Sequence, residues 1–352
     1  MSATKVSTLY PKITQHVSEV VKALKQAHHD SDYLDKEATS VPIPFEGSVK
    51  LHGTHADIVV HSDNTVVLQS KNVPNITAAN DNQGFAAAMA DKTDVILELR
   101  NQYLARWREL NVNIPLSSQY PVVIAGEWIG INIQKDVAIS RLSRRFVVIS
   151  VNINNTWIQD TLYPSIEAPS FSIYNISRGG TFNSTLYPDD IARTLTIVEP
   201  IAETIAISCP FAASFDIHGE GEGIVWKPSS SQLNPNPDLW FKTKSGRFKP
   251  TFAPVPKLLP FGQQEKRDAA DAVATIWCTE ERLQQGWDYM EEVGLLRDIK
   301  GLGRYLKWIQ TDILTEEKGY LEEARVDEGI LRVSIAKIAK VWYISRVDMG
   351  KV

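Results

Sequence analysis

Val49-Lys50-Leu51-His52-Gly53-Thr54-His55 is the stretch that decides how the rest of the chain is interpreted. It follows an extended, proline-punctuated run at residues 41–45 and precedes an apolar run at 56–61 that is typical of a β-strand. Lys50 therefore ends one predicted strand, and Gly53 allows the sharp turn that leads into the next. An amine at such an exit is well placed to act as a nucleophile.

A lysine attacks only in its unprotonated form, so the pKa of Lys50 must fall below its solution value of about 10.4. A water-excluding environment or cationic neighbours would lower the pKa of Lys50. The apolar side chains of Val49 and Leu51 would help to exclude water. The spacing of Lys50 and Gly53 alone also fits a hairpin that carries a solvated lysine. Other parts of the chain must decide between the two interpretations.

The bulk composition is that of an ordinary globular protein. The chain has 352 residues, 22% of them charged, and a net charge of -5. It contains no apolar run long enough to cross a membrane and no signal-peptide core at its start, so we expect a soluble intracellular protein. Its two cysteines are too few for a disulfide framework or a zinc site. The negative net charge argues against a protein surface that binds nucleic acid over most of its area, although it allows a local basic groove.

The hydrophobic pattern predicts helices and strands in alternation over the first 250 residues. Helical spacing covers residues 13–28, 81–110 and 189–207, the last broken by Pro200. Apolar runs predict strands at 65–69, 121–128 and 146–152, with short strands and turns over 156–185.

A second informative region begins at Glu222. The run 222–228 predicts a strand that carries Glu222, Ile224 and Trp226 on one face and Lys227 on the other. Farther on, Lys242 and Lys244 share one face of another predicted strand. Two neighbouring ammonium groups repel each other unless an anion lies between them. The alternative is an exposed edge strand that lysines protect against aggregation.

The composition changes near residue 250, where prolines predict an extended linker at 251–262. Helical periodicity then continues to the end of the chain. We therefore predict three parts: a mixed domain at 1–250, the linker at 251–262 and a small all-helical domain at 263–352.

These motifs occur in the order and rough spacing of the covalent nucleotidyltransferase motifs, and the chain resembles an ATP-dependent RNA ligase. His52 is typical of the nick-sealing type, represented by phage RNA ligase 2 and RNA-editing ligases, whereas DNA ligases and capping guanylyltransferases usually have aspartate there. The run 126–135, Gly-Glu-Trp-Ile-Gly-Ile-Asn-Ile-Gln-Lys, is similar to the third motif of that type. The resemblance covers nearly the whole chain.

The resemblance implies an α+β nucleotidyltransferase (adenylyltransferase) domain of mostly antiparallel sheets flanked by helices, followed by a small all-helical C-terminal domain. It implies that Lys50 is the nucleophile and forms a lysyl-AMP phosphoramide. Glu127 would bind the ribose, and Glu222 would position the metal ion. The remaining cations would bind the phosphates of the nucleotide. Lys227 would lie near these phosphates, and Lys242 and Lys244 would hold the α-phosphate.

Other positions follow from the same resemblance. Nucleotide contacts are implied for Val49, Leu51, Lys71 and Ile149, although Ile149 stands where an aromatic platform is expected. RNA contacts are implied for His55, Lys71 and Arg247, with His55 standing where asparagine is usual. A wider basic surface for RNA is expected from Arg141, Arg144, Arg145, Lys244, Arg247, Lys249, Lys300, Arg304 and Lys307.

The expected cofactors are ATP, with AMP bound covalently to Lys50, and Mg²⁺ or Mn²⁺. The expected partners are RNA ends, in particular a nicked duplex, for a monomeric protein without a membrane partner. Two other functions remain open from the sequence. One is another covalent nucleotidyltransferase, a DNA ligase or capping-type guanylyltransferase, and the other is a relative that binds RNA without sealing it.

Overall fold

A computed structural model of the protein describes residues 8–29, 41–248, 263–324 and 326–349. The chain divides into two units, Met1–Lys249 and Pro250–Val352. The predicted linker at 251–262 lies outside the described residues. Each unit is therefore considered by itself.

The first unit contains ten strands within its described residues. They are β1 (Ile43–Lys50), β2 (Thr54–Val60), β3 (Val66–Ser70), β4 (Val122–Ile129), β5 (Arg145–Ile153), β6 (Thr156–Trp157), β7 (Ile173–Asn175), β8 (Phe182–Leu186), β9 (Gly223–Pro228) and β10 (Phe241–Lys244). Its helices are α1 (Val17–His29), α2 (Phe85–Met89), α3 (Thr93–Leu110), α4 (Ile191–Ile207) and α5 (Pro210–Ala213).

The strands form two sheets. The first sheet has the order β10-β9-β1-β8, and its strands pair antiparallel. The second has the order β3-β2-β4-β5-β6, and β7 joins β5 in parallel. Because β1 and β2 belong to different sheets, the turn after Lys50 carries the chain from one sheet to the other.

Apolar side chains on alternate strand positions divide the core between the two sheets. In the first sheet, Phe45, Val49, Ile224 and Trp226 pack in a cluster that also contains α1 and α4 side chains. In the second sheet, alternate residues of β2, β4 and β5 pack with α2 and α3. A smaller apolar cluster joins residues of both sheets, including Val123, Ala125, Trp157 and Trp240. The sheets thus pack against each other through faces that do not carry their helices.

Three helix predictions need correction. The first helix begins at Val17 instead of Ile13, because Thr14 forms a parallel bridge with Phe241 of β10. The predicted 81–110 helix is two helices, α2 and α3, separated at residues 90–92. Pro200 does not break α4, which runs from Ile191 to Ile207. A proline inside a helix removes one N–H donor and destabilises the helix. In α4, however, the helix continues on both sides of Pro200.

The described residues of the second unit form helices and the segments that connect them. Its helices are α6 (Gln263–Trp277), α7 (Glu280–Glu292), α8 (Leu302–Glu316), α9 (Lys318–Ala324) and α10 (Glu328–Met349). The sequence pattern predicted a helical domain here, and its described residues form these five helices. Their apolar faces meet around Tyr305, Ile309, Ile335 and Tyr343, which are completely buried.

The predicted α+β class, with mostly antiparallel sheets and a helical C-terminal region, is confirmed. Cys209 and Cys278 are free and buried, so neither takes part in a disulfide. Among the described residues, no helix has the length and apolar character that a membrane crossing requires.

Candidate active site

Lys50 occupies the last position of β1, on the face of the first sheet that is turned away from α1 and α4. Strand alternation places Val49 in the apolar core, where it is 2% exposed. In the antiparallel register, Lys50 lies opposite Gly223 of β9, and Gly223 lies opposite Lys244 of β10. Because residues directly opposite each other share a face, Lys50 and Lys244 project to the same side of the sheet.

Glu222 lies between these two lysines. Its Oε2 is 2.7 Å from Nζ of Lys50, and its Oε1 is 2.9 Å from Nζ of Lys244. Burial alone would raise the pKa of Glu222, which is 2% exposed, but Lys244 and Lys50 outweigh it and hold the pKa well below its usual range. The carboxylate is therefore ionised, and it forms an ion pair with each of the two lysines.

The position of Glu222 differs from the prediction. Simple alternation placed it on the face of Ile224 and Trp226, which are buried in the core. In the structure β9 begins only at Gly223, whose φ of +156° is a conformation that L side chains rarely adopt. A Cβ on Gly223 would lie 2.0 Å from the carbonyl oxygen of Thr243. This glycine turns Glu222 toward the lysines.

Glu127 lies on β4 of the second sheet and reaches the turn that follows Lys50. Its Oε1 accepts a hydrogen bond from the backbone N–H of Gly53 at 3.0 Å. Burial raises the pKa of Glu127, and the charges of Lys50 and His55 oppose that rise. A Cβ on Gly53 would lie 2.4 Å from the carbonyl oxygen of Trp128, so only glycine fits this contact. The turn is thus fixed to the second sheet beside the candidate nucleophile.

Lys227 lies on the same sheet face as Lys50 but near the other end of β9. Its Nζ donates to Oδ2 of Asp160 at 2.5 Å and to Oγ of Ser150 at 3.0 Å. The ammonium also lies 3.8 Å from the ring centroid of Trp240. Burial lowers the pKa of Lys227, and Asp160 opposes that effect. The predicted phosphate cation is therefore already paired with a carboxylate.

Two histidines of the opening motif contact carboxylates. Nδ1 of His52 is 3.5 Å from Oε2 of Glu222, and the His52 ring lies 4.7 Å from that of Phe248. Nε2 of His55 is 2.8 Å from Oδ1 of Asp57, which is completely buried. The ring of Tyr10 stacks on His55 at 5.2 Å between centroids.

The remaining predicted nucleotide contacts are placed as follows. Leu51 is 4% exposed in the same core as Val49, so a nucleotide could meet these two residues only through their backbone. Ile149 is partly buried beside the apolar cluster that joins the sheets, together with Val225. Lys242 lies opposite Val225 in the register, on the face of Lys244.

The predicted RNA contacts are more scattered. Lys71 is exposed just after β3, and its charge acts on His55. The side chain of Arg247, as well as Lys249, lies outside the described part of the chain. Arg141 and Arg144 are exposed, and they donate to the backbone carbonyls of His218 and Ile131.

Arg145 was predicted to contribute to the basic surface, and that prediction is wrong. Its side chain is buried, with the guanidinium 5.0 Å from the Tyr174 ring and 4.2 Å from the Phe215 ring. Its Nε donates to the carbonyl of Ser143. Arg145 therefore stabilises the packing of the second sheet, because cations bind the faces of aromatic rings.

Sequence reasoning missed three residues that contact the predicted ones. Asp160 follows β6 in a short 3₁₀ turn, and no spacing in the sequence links it to Lys227. Tyr10 precedes the first helix and belongs to no helical, strand or motif pattern in the sequence. Asp57 offered a signal that was overlooked, because a carboxylate at an inward strand position, two residues after His55, requires a partner.

A divalent metal ion has limited support from the protein side chains. The described residues contain no group of three or more His, Cys, Asp or Glu side chains arranged to hold a metal. Glu222 is a buried carboxylate that directly contacts Lys50. Mg²⁺ commonly binds through one or two carboxylates together with substrate phosphates and water. The donor set thus fits a metal ion that arrives with a nucleotide.

A sequence profile of the RNA ligase family matches residues 43–244, more than half of the chain. Among curated protein sequences, none matches this chain significantly. Solved structures similar to it include mutants of a Naegleria gruberi RNA ligase with AMP and Mn and with ATP and Mn, and the same ligase with PPi. Identity is 14%, TM-scores are 0.40, 0.39 and 0.40, and 68% of this chain is covered. The chain spans 57% of the length of those ligases.

Proposed function

Since this chain belongs to the RNA ligase family, we propose that it joins RNA 5′-phosphate and 3′-hydroxyl ends with ATP, through an AMP group carried on Lys50. The observation that supports this proposal is the convergence of Lys50 and Lys244 on the buried carboxylate of Glu222. That arrangement places an amine and a second cation side by side at the end of a strand. Transfer of a nucleotidyl group requires cations at the phosphate, and Lys244, beside the amine, supplies one.

In the first step, the amine of Lys50 attacks the α-phosphorus of ATP. The ammonium of Lys50 first gives one proton to water, so that its nitrogen has a free lone pair. The P–N bond then forms as the bond to pyrophosphate breaks, and a second proton passes from the nitrogen to water. Charge that develops on the phosphate oxygens is stabilised by Lys244 and Lys242, which share the sheet face of Lys50. Before attack, the amine must leave Oε2 of Glu222, and that oxygen would then bind the Mg²⁺ that accompanies the nucleotide. The metal ion would neutralise phosphate charge.

In the second step the RNA 5′-phosphate takes AMP from Lys50, and in the third the RNA 3′-hydroxyl displaces AMP. We assign to Glu127 the hydrogen bonds from the ribose, and its contact with the N–H of Gly53, in the turn after Lys50, supports this role. Each step exchanges one group at a phosphorus, so the same cations serve all three. We propose a nicked RNA duplex as the substrate and a monomeric enzyme.

Covalent labelling tests the proposal. The full chain incubated with α-labelled ATP and Mg²⁺ should retain the label, whereas Lys50→Ala should retain none. Lys25→Ala, an exposed lysine on α1, is the matched control and should be labelled like the unmodified chain. Absence of label on the unmodified chain, or label that persists on Lys50→Ala, would contradict the proposal.

Substrate comparison separates the related functions. Labelling by GTP instead of ATP would indicate a capping-type enzyme, and preference for DNA nicks over RNA nicks would indicate a DNA ligase. RNA binding without any ligated product would indicate a relative that does not seal. We expect labelling by ATP and sealing of RNA.

A further inference from the structure

A groove runs along α3, the helix that packs on the second sheet. One wall is α3 itself, and the other is the segment 167–171, which ends in a 3₁₀ turn at Pro169–Phe171. The groove has a volume of about 280 Å³, and its apolar lining consists of Val95, Leu99, Ala168 and Phe171. Leu99 is 2% exposed, whereas Phe171 is 45% exposed. An aromatic ring is thus open to solvent beside the buried core of the second sheet.

Acidic side chains border the apolar lining. They are Asp94, Glu98 and Glu167, and among the described residues no lysine or arginine lines the groove. Glu167 is already paired, because the guanidinium of Arg178 donates to both of its oxygens. Glu98 accepts a hydrogen bond from Gln102 at 3.1 Å, but within the described part of the chain neither Asp94 nor Glu98 forms an ion pair. These two exposed carboxylates lie four residues apart on one helix face, where like charges repel each other.

Hydrogen bonds hold the two walls of the groove in place. The hydroxyl of Tyr103, on α3, donates to the carbonyl of Ile166 at 3.4 Å, and Nδ2 of Asn175 donates to that hydroxyl at 3.1 Å. Ala168 and Ile173 exchange two backbone hydrogen bonds across the 3₁₀ turn. A site that is already formed loses less conformational entropy when a ligand binds. The groove is therefore preorganised to bind a short ligand.

The length and the charge of the groove indicate what it can bind. Its lining positions on α3 run from Asp94 to Gln102, a rise of about 12 Å. That length accommodates about four residues of an extended peptide. The acidic border repels the phosphates of RNA and attracts an arginine or a lysine. Arginine fits both features of the groove, because its guanidinium pairs with carboxylates and also stacks on aromatic rings.

We propose that this groove docks a short segment of a partner protein in which an arginine stands next to a large apolar residue. The apolar side chain packs on Phe171, and the guanidinium lies between Asp94 and Glu98. Trp128 packs with α3, so strand alternation directs its neighbour Glu127 to the opposite face of the second sheet. The docked segment therefore leaves the candidate active site open. This inference does not depend on the proposed function.

Peptide selection tests the proposal with the full chain. The immobilised protein selects binders from a phage library of random heptapeptides. The most enriched peptide is then synthesised with a fluorescent label, and its Kd is measured by fluorescence anisotropy. Glu98→Lys and Phe171→Ser are the groove variants, and both positions are exposed. Glu109→Lys is the matched control, because Glu109 is 64% exposed on the same helix but outside the groove.

We expect the selected peptides to share an arginine or lysine beside a large apolar residue. Glu98→Lys should weaken binding by about tenfold or more, because an attractive charge becomes a repulsive one. Phe171→Ser should weaken binding by about tenfold through the loss of its apolar contact. Glu109→Lys should stay within about twofold of the unmodified chain, since about 16 Å of helix separates it from Glu98, more than a Debye length.

A measurement on the unmodified chain needs no variant. Raising the salt concentration should weaken peptide binding, because the contacts with Asp94 and Glu98 are exposed to solvent. The inference is overturned if the selected peptides share no basic residue, or if Glu98→Lys and Glu109→Lys bind the peptide equally well. It is also overturned if single-stranded RNA displaces the peptide, which would assign the groove to nucleic acid. Labelling of the protein by ATP is measured separately, so failure of this inference leaves the proposed function untouched.

Discussion

Nζ of Lys50 lies 2.7 Å from Oε2 of Glu222, although 172 positions of sequence separate the two residues. The antiparallel register of β1, β9 and β10 produces this contact, because Lys50, Gly223 and Lys244 lie side by side on adjacent strands. The carboxylate is ionised in spite of its burial, and both lysines form ion pairs with it. This contact is therefore the point where a substitution should affect chemistry first.

Replacing Glu222 by Gln should reduce labelling by ATP by about 10²-fold or more, the range found when one preorganised electrostatic group is removed. The amide keeps the shape but removes the negative charge that pairs with Lys50 and Lys244, and with it the charged metal ligand. The initial rate of labelling is the measurement. Glu220→Gln, an exposed change two residues earlier, should label normally. Equal rates for the two variants would contradict the assigned role of Glu222.

The pair formed by Lys227 and Asp160 should contribute to stability unequally when each partner is removed. Asp160→Asn leaves the ammonium of Lys227, 7% exposed, without its carboxylate, and should cost about 3 kcal/mol. Lys227→Met should cost less, because Asp160 is 21% exposed and water can solvate it. The double variant should recover part of the loss. Urea unfolding of all four proteins measures these differences, and strictly additive losses would show that the pair is not coupled.

The contact of His55 with Asp57 should make stability depend on pH. The pKa of His55 is raised in the folded protein, so the folded state binds the proton more tightly than the unfolded chain. The resulting stabilisation should be complete below the unfolded pKa of about 6.5 and should be lost as pH rises through the folded pKa. The difference in unfolding free energy between the unmodified chain and His55→Asn should thus be larger at acid pH. A difference that is constant with pH, or that grows toward alkaline pH, would contradict the ion pair.

Arg282 should be the most sensitive charged residue of the helical unit. It is 13% exposed and lies 3.0 Å from Glu316, 3.1 Å from Glu317 and 3.5 Å from Asp312. Arg282→Met should destabilise this unit by about 3–5 kcal/mol, because Glu317 is 2% exposed and would lose its ion pair with Arg282.

Arg297→Met is the matched control for that measurement. Arg297 contacts Glu291, which is 74% exposed, so its loss should cost about 1 kcal/mol or less. Denaturant unfolding of the full chain gives the loss in unfolding free energy for both variants. Tryptophan fluorescence, to which several residues of this unit contribute, follows the unfolding. Similar losses for the two variants would show that the buried cluster is no stronger than a surface pair.

The sequence predicted those features of the site that depend on strand periodicity. Lys50 at a strand end and the shared face of Lys242 and Lys244 follow from the two-residue repeat, and the structure has both. Periodicity failed where a single backbone conformation decides the geometry. Gly223 turns Glu222 out of the alternation, and no pattern of apolar residues contains that information.

Contacts between distant segments were also beyond the sequence pattern. Lys227 was predicted to be a phosphate cation, and its pairing with Asp160 depends on how β6 and β9 come together. Arg144 and Arg145 are adjacent and carry the same charge, yet Arg145 is buried between aromatic rings and Arg144 is exposed. Which basic residue faces solvent was set by the register of β5, and that register depends on the whole sheet.

The backbone N–H of Lys242 donates to the carbonyl of Thr14 at 2.8 Å, so the segment before α1 covers the outer edge of β10. A shortened protein that began at β1 would leave this edge bare. Unsatisfied edge groups readily recruit a strand from another molecule. The truncated protein should therefore associate in solution, with β10 of each copy at the interface between the copies.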